Sequence, residues 1–391
     1  MKAIRFVPAL AGAAALVAAV AFSQHPKQDS PAAEQQAGAQ RGSSQDSSAQ
    51  PAGGRSSAAP PGPPQAARIH PDEKHFRNLR QITFGGQNAE GYWSPDGQKI
   101  IYQRMNEAEG VMCDQAYVFD AASGESRRVS NGKGRVTCAY FLDGGRQVLY
   151  ASTQLADEAC PPPADHSKGY SWPMLSAYDI VSHALDGSGF RRLTDTAGYD
   201  AEATLAPGGK ALVFTSVRDG DLEIYTMATD GSRVKRLTHE PGYDGGPFYS
   251  PDGKRIVYRR DLHADAASLA RYQELLTLHL YRPGALEVWV MDADGGNKRQ
   301  VTTLGAASFA PYFHPDGQRI IFSSNHPNPR GRAFDLYTIG DDGSGLERIT
   351  SEPSFDGFPM FSPDGKKLVF ASNRGGKAPG ETNLFVVDWV D

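Results

Sequence analysis

Five carboxylate side chains stand four or six residues before a turn that this sequence repeats, and together they could form a binding site. They are Glu90, Asp200, Glu202, Asp244 and Asp356. If the repeats surround a common axis, these side chains surround it as well. Carboxylate oxygens in such a ring could bind a divalent cation, a cationic group or a polar ligand.

The aspartates of this set also have a structural explanation. An aspartate in a loop before a strand often accepts hydrogen bonds from the backbone amides of its own turn. Recurrence in several copies favours that interpretation for the aspartates. Comparable places in the remaining copies hold Asn88, Arg135 and Ser308. Because Glu90, Glu202 and Arg135 break the repeat, they are the better candidates for ligand binding.

Two aromatic residues, Tyr170 and Trp172, are further candidates for ligand contact. They flank Ser171 in a segment that resembles a nucleophile elbow but lacks its final glycine and its preceding strand. The chain also has no α/β region that could hold a triad, so no catalytic residue is predicted. The histidines are scattered, and no metal site or cofactor is predicted beyond the divalent cation that the axial carboxylates could hold.

Three cysteines, Cys113, Cys138 and Cys160, fall on one face of the predicted fold. In an exported protein two of them are expected to form a disulfide, which leaves one free thiol. The pair Cys138–Cys160, within one repeat unit, is slightly favoured, and the other pairings stay open. No histidine stands beside the cysteines at ligand spacing, so a thiolate metal site is not indicated.

Six copies of a β-hairpin position these residues. Their turns align as Ser94-Pro95-Asp96-Gly97, Leu142-Asp143-Gly144-Gly145, Ala206-Pro207-Gly208-Gly209, Ser250-Pro251-Asp252-Gly253, His314-Pro315-Asp316-Gly317 and Ser362-Pro363-Asp364-Gly365. Proline presets φ and glycine accepts the positive φ of a tight hairpin turn. The copies are spaced by 48, 64, 44, 64 and 48 residues, a period typical of propeller blades.

Each copy is predicted to contain four strands, of which the fourth is polar, as suits an outer edge. Only five fourth strands follow the turns, because the chain stops at Asp391 after the sixth third strand. A matching segment, Arg80-Gln81-Ile82-Thr83, precedes the first turn. We therefore predict an all-β, six-bladed β-propeller of four-stranded blades, closed by the N-terminal strand, which completes the last blade.

Two insertions, residues 154–177 and 260–285, account for the two long spacings. Both lie between a second and a third strand, so both belong to one end of the ring, which we call the top face. Long loops on a rigid scaffold often carry binding residues. The second insertion is predicted to contain a helix that Asp265 caps and Pro283 ends, and this helix would plug the channel mouth.

The N-terminal part of the chain precedes the propeller. Residues 1–23 have a basic start, an uncharged stretch at 6–22 and small residues near the end, which predicts a cleaved signal peptide. An uncleaved membrane anchor is the alternative. Residues 24–68 contain no large apolar residue and are predicted to be a disordered linker, so the propeller spans 69–391.

The net charge of −5 and pI near 6.1 argue against a nucleic-acid-binding protein, which needs a basic face. With three cysteines the fold is not a disulfide scaffold. The composition is that of a globular chain with many turns.

The repeats resemble the TolB-type propeller family, also called WD40-like or PD40 repeats. The matching segments are Ser-Pro-Asp-Gly-Lys-Lys-Leu-Val-Phe-Ala-Ser-Asn-Arg at 362–374, Asp-Gly-Asp-Leu-Glu-Ile-Tyr-Thr-Met at 219–227 and Arg-Arg-Leu-Thr at 191–194. The resemblance covers about residues 77–391 and implies a propeller fold. It does not imply TolB itself, whose folded N-terminal domain is replaced here by the linker.

We expect a periplasmic or secreted, monomeric, non-catalytic propeller that binds a protein or peptide through its top face. We expect no nucleic-acid partner, and we expect attachment to a membrane only if the signal peptide is not cleaved. One alternative is a metal-dependent lyase or hydrolase that acts from the axial acidic pocket. Another is a carbohydrate-binding module of the cell envelope. Propellers serve many roles, so the fold alone does not choose between them.

Overall fold

A computed structural model describes residues 63–163, 170–326 and 328–391. The predicted signal peptide and residues 24–62 of the predicted linker lie outside the described residues. Within the described part of the chain, no helix is long and apolar enough to cross a membrane.

The described strands group into six blades. The chain enters with β1 (Gln65–Ala66) and β2 (Phe76–Gln81). Blade 1 contains β3 (Gln87–Trp93), β4 (Lys99–Asn106), β5 (Val111–Asp120) and β6 (Ser126–Arg128). Blade 2 contains β7 (Val136–Leu142), β8 (Gln147–Ser152), β9 (Trp172–Pro173, in its insertion), β10 (Asp179–Ala184) and β11 (Arg191–Arg192). Blade 3 contains β12 (Asp200–Leu205), β13 (Ala211–Ser216), β14 (Glu223–Ala228) and β15 (Lys235–Arg236).

The second half of the ring follows the same plan. Blade 4 contains β16 (Asp244–Tyr249), β17 (Arg255–Asp261), the helix α1 (Ala266–Thr277), β18 (Leu280–Tyr281), β19 (Leu286–Asp292) and β20 (Arg299–Gln300). Blade 5 contains β21 (Ser308–Phe313), β22 (Arg319–Ser324), β23 (Asp335–Gly340) and β24 (Glu347–Arg348). Blade 6 contains β25 (Asp356–Phe361), β26 (Lys367–Ser372) and β27 (Asn383–Trp389). Two short 3₁₀ turns cover Glu107–Glu109 and Asp143–Gly145.

The ring closes as the sequence predicts. In blade 6, β2 pairs antiparallel with β27, so the N-terminal strand supplies the fourth strand of the last blade. The strand β1 then pairs with β2 and makes this sheet five-stranded. Ordered structure therefore begins before residue 69, the predicted start of the propeller, because Gln65 and Ala66 add backbone hydrogen bonds to an exposed sheet edge.

The repeated turns hold the first two strands of a blade together. In blade 6 the Ser362 hydroxyl donates to the Asp364 carboxylate at 2.7 Å and accepts from the Lys367 amide at 2.9 Å. Gly365 takes the positive φ of 71° that the turn needs. The second strands are covered on both sides by neighbouring blades, so Ile100, Ile101 and Tyr102 have no accessible surface.

Every innermost strand contains a bulge, at its fourth residue in β3 and at its third residue in the other five strands. The pairing register shifts at that point in β3, β7, β12, β16, β21 and β25. A bulge bends the strand and turns one side chain away from the regular alternation. Since the innermost strands surround the axis, the bulges determine which side chains point toward the axis at the height of the bulges.

The two insertions meet over blades 2 to 4. The helix α1 begins after Asp265, whose side chain accepts from the Ser268 amide at 2.7 Å, which confirms the predicted cap. After the helix, β18 pairs antiparallel with β9 of the other insertion. The insertions thus form a joint two-stranded cap at the top face, which the sequence did not predict.

Candidate functional site: an axial cavity beneath the top face

Six bulge residues form a ring around the axis. They are Glu90, Cys138, Glu202, Gly246, Ala310 and Phe358, one from each blade in order, and all have φ between 50° and 61°. Five of them are not glycine, and a left-handed backbone is uncommon for such residues. Strained backbone of this kind is concentrated at functional sites. All six residues line one cavity of about 280 Å³.

Aromatic side chains close the axis below this ring. Tyr92, Tyr140, Phe248 and Tyr312 lie two residues after their respective bulges. The ring centroids of Tyr92 and Phe248, from opposite blades, are 5.6 Å apart, and those of Phe248 and Tyr312 are 5.3 Å apart. Because these rings meet across the axis, the cavity ends here and extends only toward the top face.

The wall formed by blades 5 and 6 is apolar. Phe309 contacts Phe334 and Phe358 edge to face, with centroids 5.2 Å and 5.4 Å apart. Phe355 stacks with Phe309 at 6.3 Å. All four rings line the cavity. This wall suits an apolar or aromatic group of a ligand.

The opposite wall contains a buried ion pair. The Glu202 carboxylate accepts a hydrogen bond from the Arg259 guanidinium, and the Arg259 side chain is 7% exposed. Glu202 also accepts from the Thr215 hydroxyl at 2.7 Å and from the Gly246 amide at 2.8 Å. The acceptor sites of Glu202 are therefore largely occupied by donors of the protein.

Gly246 makes room for this ion pair. A Cβ at position 246 would lie 2.7 Å from a guanidinium nitrogen of Arg259. The Arg259 side chain therefore occupies the place where the other blades present a bulge side chain. Its guanidinium also lies over the Trp172 ring, 5.1 Å from the ring centroid, and its Nε donates to the Tyr243 hydroxyl at 3.0 Å.

Glu90 differs from Glu202 in its surroundings. The pKa of Glu90 is raised from 4.5 to about 7, mainly by burial; a hydrogen bond with the Cys138 thiol and the charge of Arg259 lower it, while the charges of Glu202 and Asp114 raise it. Its Oε2 atom is buried and has no hydrogen-bond partner among the described residues. Burial also raises the pKa of the neighbouring Cys138 thiol, so this free cysteine stays protonated at neutral pH.

A second, looser charge pair lines the cavity. The Arg135 Nε atom lies 3.8 Å from the Asp114 carboxylate, and both side chains are mostly buried. Burial raises the pKa of Asp114, while the charge of Arg135 lowers it. The pair places one positive and one negative group at the same wall.

The two insertions form the roof of the cavity, and the first insertion contributes its aromatic residues. Trp172 lines the cavity and its indole Nε1–H donates to the Tyr170 hydroxyl at 2.9 Å. Its ring contacts Tyr281 of the other insertion at 5.5 Å. Pro283 of the second insertion also lines the cavity, so both insertions contribute to it.

The structure separates the predicted site residues into two groups. Glu90, Arg135, Tyr170, Trp172 and Glu202 surround the cavity. The three aspartates are buried between strands and paired with arginines of their own blades: Asp200 with Arg218 at 3.0 Å, Asp244 with Arg260 at 3.7 Å, and Asp356 with Arg374 at 2.7 Å. Burial raises the pKa of all three aspartates. They support the blades and do not line the cavity.

The remaining residues of the predicted ring, Asn88 and Ser308, make hydrogen bonds to neighbouring strands and loops of the blades. The Asn88 side chain donates to the backbone carbonyls of Gly85 and Thr382 at 3.0 Å. The Ser308 hydroxyl lies 3.1 Å from that of Ser324 in the next strand. Both are structural, and in the described part of the chain no three His, Cys, Asp or Glu side chains converge as metal ligands would.

The slightly favoured cysteine pairing was wrong. The disulfide joins Cys113 to Cys160, and Cys138 is free. The ring of blades brings β5 of blade 1 next to the insertion of blade 2. Cys138 occupies a bulge position, from which its side chain faces the axial cavity.

Several residues of the site were not predicted, although one carries a signal. Arg259 follows the aromatic residue that ends the repeated second-strand motif, and the other copies have uncharged residues there: Gln103, Ala151, Thr215, Ser323 and Ala371. Its charge is a departure from the repeat of the kind that singled out Glu90. The phenylalanines of the apolar wall carry no such signal, because phenylalanine is common throughout the repeats.

Comparisons with known proteins agree with this fold. Residues 177–273 and 273–379 match the TolB beta propeller domain (PD40), and the chain belongs to this family. Tol-Pal system protein TolB of Bordetella pertussis is 28% identical over 133 residues, which are 34% of this chain and 25% of that protein. TolB of Bordetella parapertussis matches to the same extent. The matched region thus spans about a quarter of the length of these relatives.

Solved structures show similarity in fold. A protein assigned as TolB from Agrobacterium tumefaciens has a TM-score of 0.51 and 18% identity, over 78% of this chain and 91% of that one. An oligogalacturonate lyase from Vibrio parahaemolyticus has a TM-score of 0.50 and 11% identity, over 83% and 97%. Proteins with different names share this propeller, so the fold does not assign a function.

Proposed function

We propose that this chain is a non-catalytic propeller that binds a peptide or protein segment at its top face, with an anchoring side chain in the axial cavity. The observation that carries the proposal is the cavity itself. It ends at an aromatic floor, one wall is apolar and the other is charged. Such a combination orients a ligand with an apolar body and a few polar groups.

The proposal also covers the cellular location and the oligomeric state of the protein. The basic and apolar features of residues 1–23 support export, and relatives named as Tol-Pal system proteins support an envelope partner. We propose a monomer in the periplasm that acts without a cofactor. Among the described residues, the two-stranded cap comes from the insertions of blades 2 and 4, and we propose that a segment enters from the side of blades 5 and 6.

Selection of peptides tests the binding role. Random peptides displayed on phage are selected against the full exported protein, and the affinities of enriched peptides are measured by fluorescence anisotropy. The variant Ala310→Phe fills the cavity from a bulge position, and Phe358 shows that phenylalanine is accepted at such a position. The matched control is Ala122→Phe, an exposed alanine in a turn on the opposite face.

We expect enriched peptides to bind Ala310→Phe at least tenfold more weakly than the wild-type protein and to bind Ala122→Phe unchanged. Equal affinity for Ala310→Phe, or no enrichment, would count against the proposal. Elemental analysis addresses the catalytic alternative. A stoichiometric metal that is lost on Glu202→Gln would replace the binding role by a metal-dependent one.

A further inference from the structure

The charged groups of the cavity do not balance. Among the described residues, its walls contain three carboxylates, from Glu90, Asp114 and Glu202, and two guanidinium groups, from Arg135 and Arg259. Glu202 pairs with Arg259, and Asp114 lies opposite Arg135. Glu90 is left as the carboxylate without an arginine or lysine partner in the described structure.

The position of Glu90 presents this carboxylate to the cavity. Its bulge directs it toward the axis, and its buried Oε2 atom lacks a hydrogen-bond donor among the described residues. A buried carboxylate oxygen without a donor costs free energy unless a donor arrives from elsewhere. A ligand with a positively charged donor would meet both needs.

We propose that the cavity recognises an ammonium group attached to an apolar or aromatic body, with Glu90 as the residue that pairs with the ammonium. The proposal rests on the binding role proposed above and names the chemistry of its ligand. In a peptide this group is a lysine side chain beside an aromatic residue. A free arylalkylamine has the same chemistry from another source.

The apolar wall supplies the second half of the recognition. Phe358 is the bulge residue of blade 6, adjacent to Glu90 of blade 1, and it contacts Phe309. Aromatic faces attract cations and also accept apolar groups by burial. A ligand can therefore place its ammonium at Glu90 and its apolar body against the phenylalanines of blades 5 and 6.

Protonation of Glu90 makes binding depend on pH. The charged groups that face Glu90 from neighbouring strands are Glu202, Arg259 and Asp114, with Cys138 beside it and Arg135 paired to Asp114. Burial raises the pKa of Tyr92, Tyr178 and Tyr199, so these phenols stay neutral. With the pKa of Glu90 near 7, an ammonium ligand displaces a proton below pH 7. Affinity at pH 5 is then about a hundredfold weaker than at pH 8.

Calorimetric titration with 4-phenylbutylamine tests the proposal, with 4-phenylbutanol as the uncharged analogue. The wild-type protein is compared with Glu90→Gln, which keeps the size of the side chain and removes its charge. The matched control is Glu107→Gln, an exposed glutamate on a top-face loop. Circular dichroism verifies that each variant is folded.

We expect the amine to bind the wild-type protein and Glu107→Gln equally, and Glu90→Gln at least tenfold more weakly. The alcohol should bind all three proteins equally and more weakly than the amine binds the wild type. Equal binding of the amine to Glu90→Gln, equal binding of amine and alcohol, or no binding of the amine at millimolar concentration would each overturn the proposal. So would an amine affinity that does not fall between pH 8 and pH 5.

A peptide pair separates this proposal from the binding role. Acetyl-Phe-Lys-Phe-amide is compared with the same peptide in which norleucine replaces lysine, and binding of the lysine peptide alone supports both proposals. If selected peptides bind the cavity without a preference for lysine, the ammonium proposal fails and the binding role stands. If phenylbutylamine binds at Glu90 and no peptide binds, the peptide-binding role fails and recognition of an ammonium group by Glu90 stands.

Discussion

Trp172 and Tyr281 are paired residues of a two-stranded sheet, although one belongs to the insertion of blade 2 and the other to that of blade 4. Their rings contact edge to face at 5.5 Å, and Tyr281 stacks on Tyr243 at 4.2 Å. Neither insertion could form this sheet alone. The cap over the cavity is therefore one cooperative element, which makes its two halves dependent on each other.

Removal of the Tyr281 ring should loosen the insertion of the other blade. The Met174 amide donates to the His279 carbonyl at 2.8 Å across the joint. In Tyr281→Ala we expect the free energy of opening at this amide to fall by about 3 kcal/mol, since a fully buried ring is lost. Hydrogen exchange at the Met174 amide measures this opening free energy. The control is Leu278→Ala, which removes a side chain that is 57% exposed in the same insertion. Unchanged exchange at Met174 would show that the insertions fold independently.

Because β2 closes the ring, truncating a buried side chain of β2 should strongly destabilise the whole propeller. Phe76 is 1% exposed and contacts Phe370 and Trp389 of blade 6. Phe76→Ala should lower the free energy of unfolding by about 3–5 kcal/mol. The control Phe190→Ala removes a ring that is 45% exposed and should cost much less. Similar urea midpoints for the two variants would contradict the closure.

The disulfide Cys113–Cys160 fixes the first insertion to blade 1. It closes a loop with a sequence separation of 47 residues, for which the chain-entropy model gives about 4 kcal/mol. We expect the double variant Cys113→Ser/Cys160→Ser to lose stability of that order in urea, and Cys138→Ser to lose little. Peptide mapping under non-reducing conditions checks the pairing. Finding Cys138 in a disulfide would refute it.

Glu90 should make stability fall as pH rises. Its pKa is about 7 in the folded chain, above the value of 4.5 expected on unfolding, so the folded state binds the proton more tightly. Stability from this group is present below pH 4.5 and is lost by about pH 7. Relative to Glu90→Gln, the wild-type protein should lose about 2–3 kcal/mol between pH 5 and pH 8.

Urea unfolding at several pH values measures this difference, and Glu107→Gln should follow the wild-type curve. A constant difference between Glu90→Gln and the wild-type protein would mean that the Glu90 carboxyl is not perturbed.

The propeller could be predicted because its determinants are local and repeated. The turn at Ser362-Pro363-Asp364-Gly365 sets a hairpin by its own hydrogen bonds, and six copies together with the strand Phe76–Gln81 define one closed ring. The separation of Glu90, Glu202 and Arg135 from the aspartates also followed from the repeat. Residues that every copy needs for its blade recur, whereas these three cavity-lining residues do not.

The rest depends on contacts that the chain makes only when folded. The cysteine pairing and the joint cap arise where different blades meet, so local sequence carries no signal for them. The bulges place Cys138 and Phe358 on the axis through a backbone conformation that neither residue favours alone. The cavity could therefore be identified only in the folded structure. The charge of Arg259 was a usable signal, because the other copies of the repeat have uncharged residues at that position.

Hydrogen exchange of the full chain with and without a selected peptide tests the central claim most directly. Binding in the axial cavity predicts slower exchange at residues 87–90, 170–174 and 283–286, with the turns of the opposite face unchanged. Slower exchange confined to the Ser-Pro-Asp-Gly turns, with none around the cavity, would contradict it.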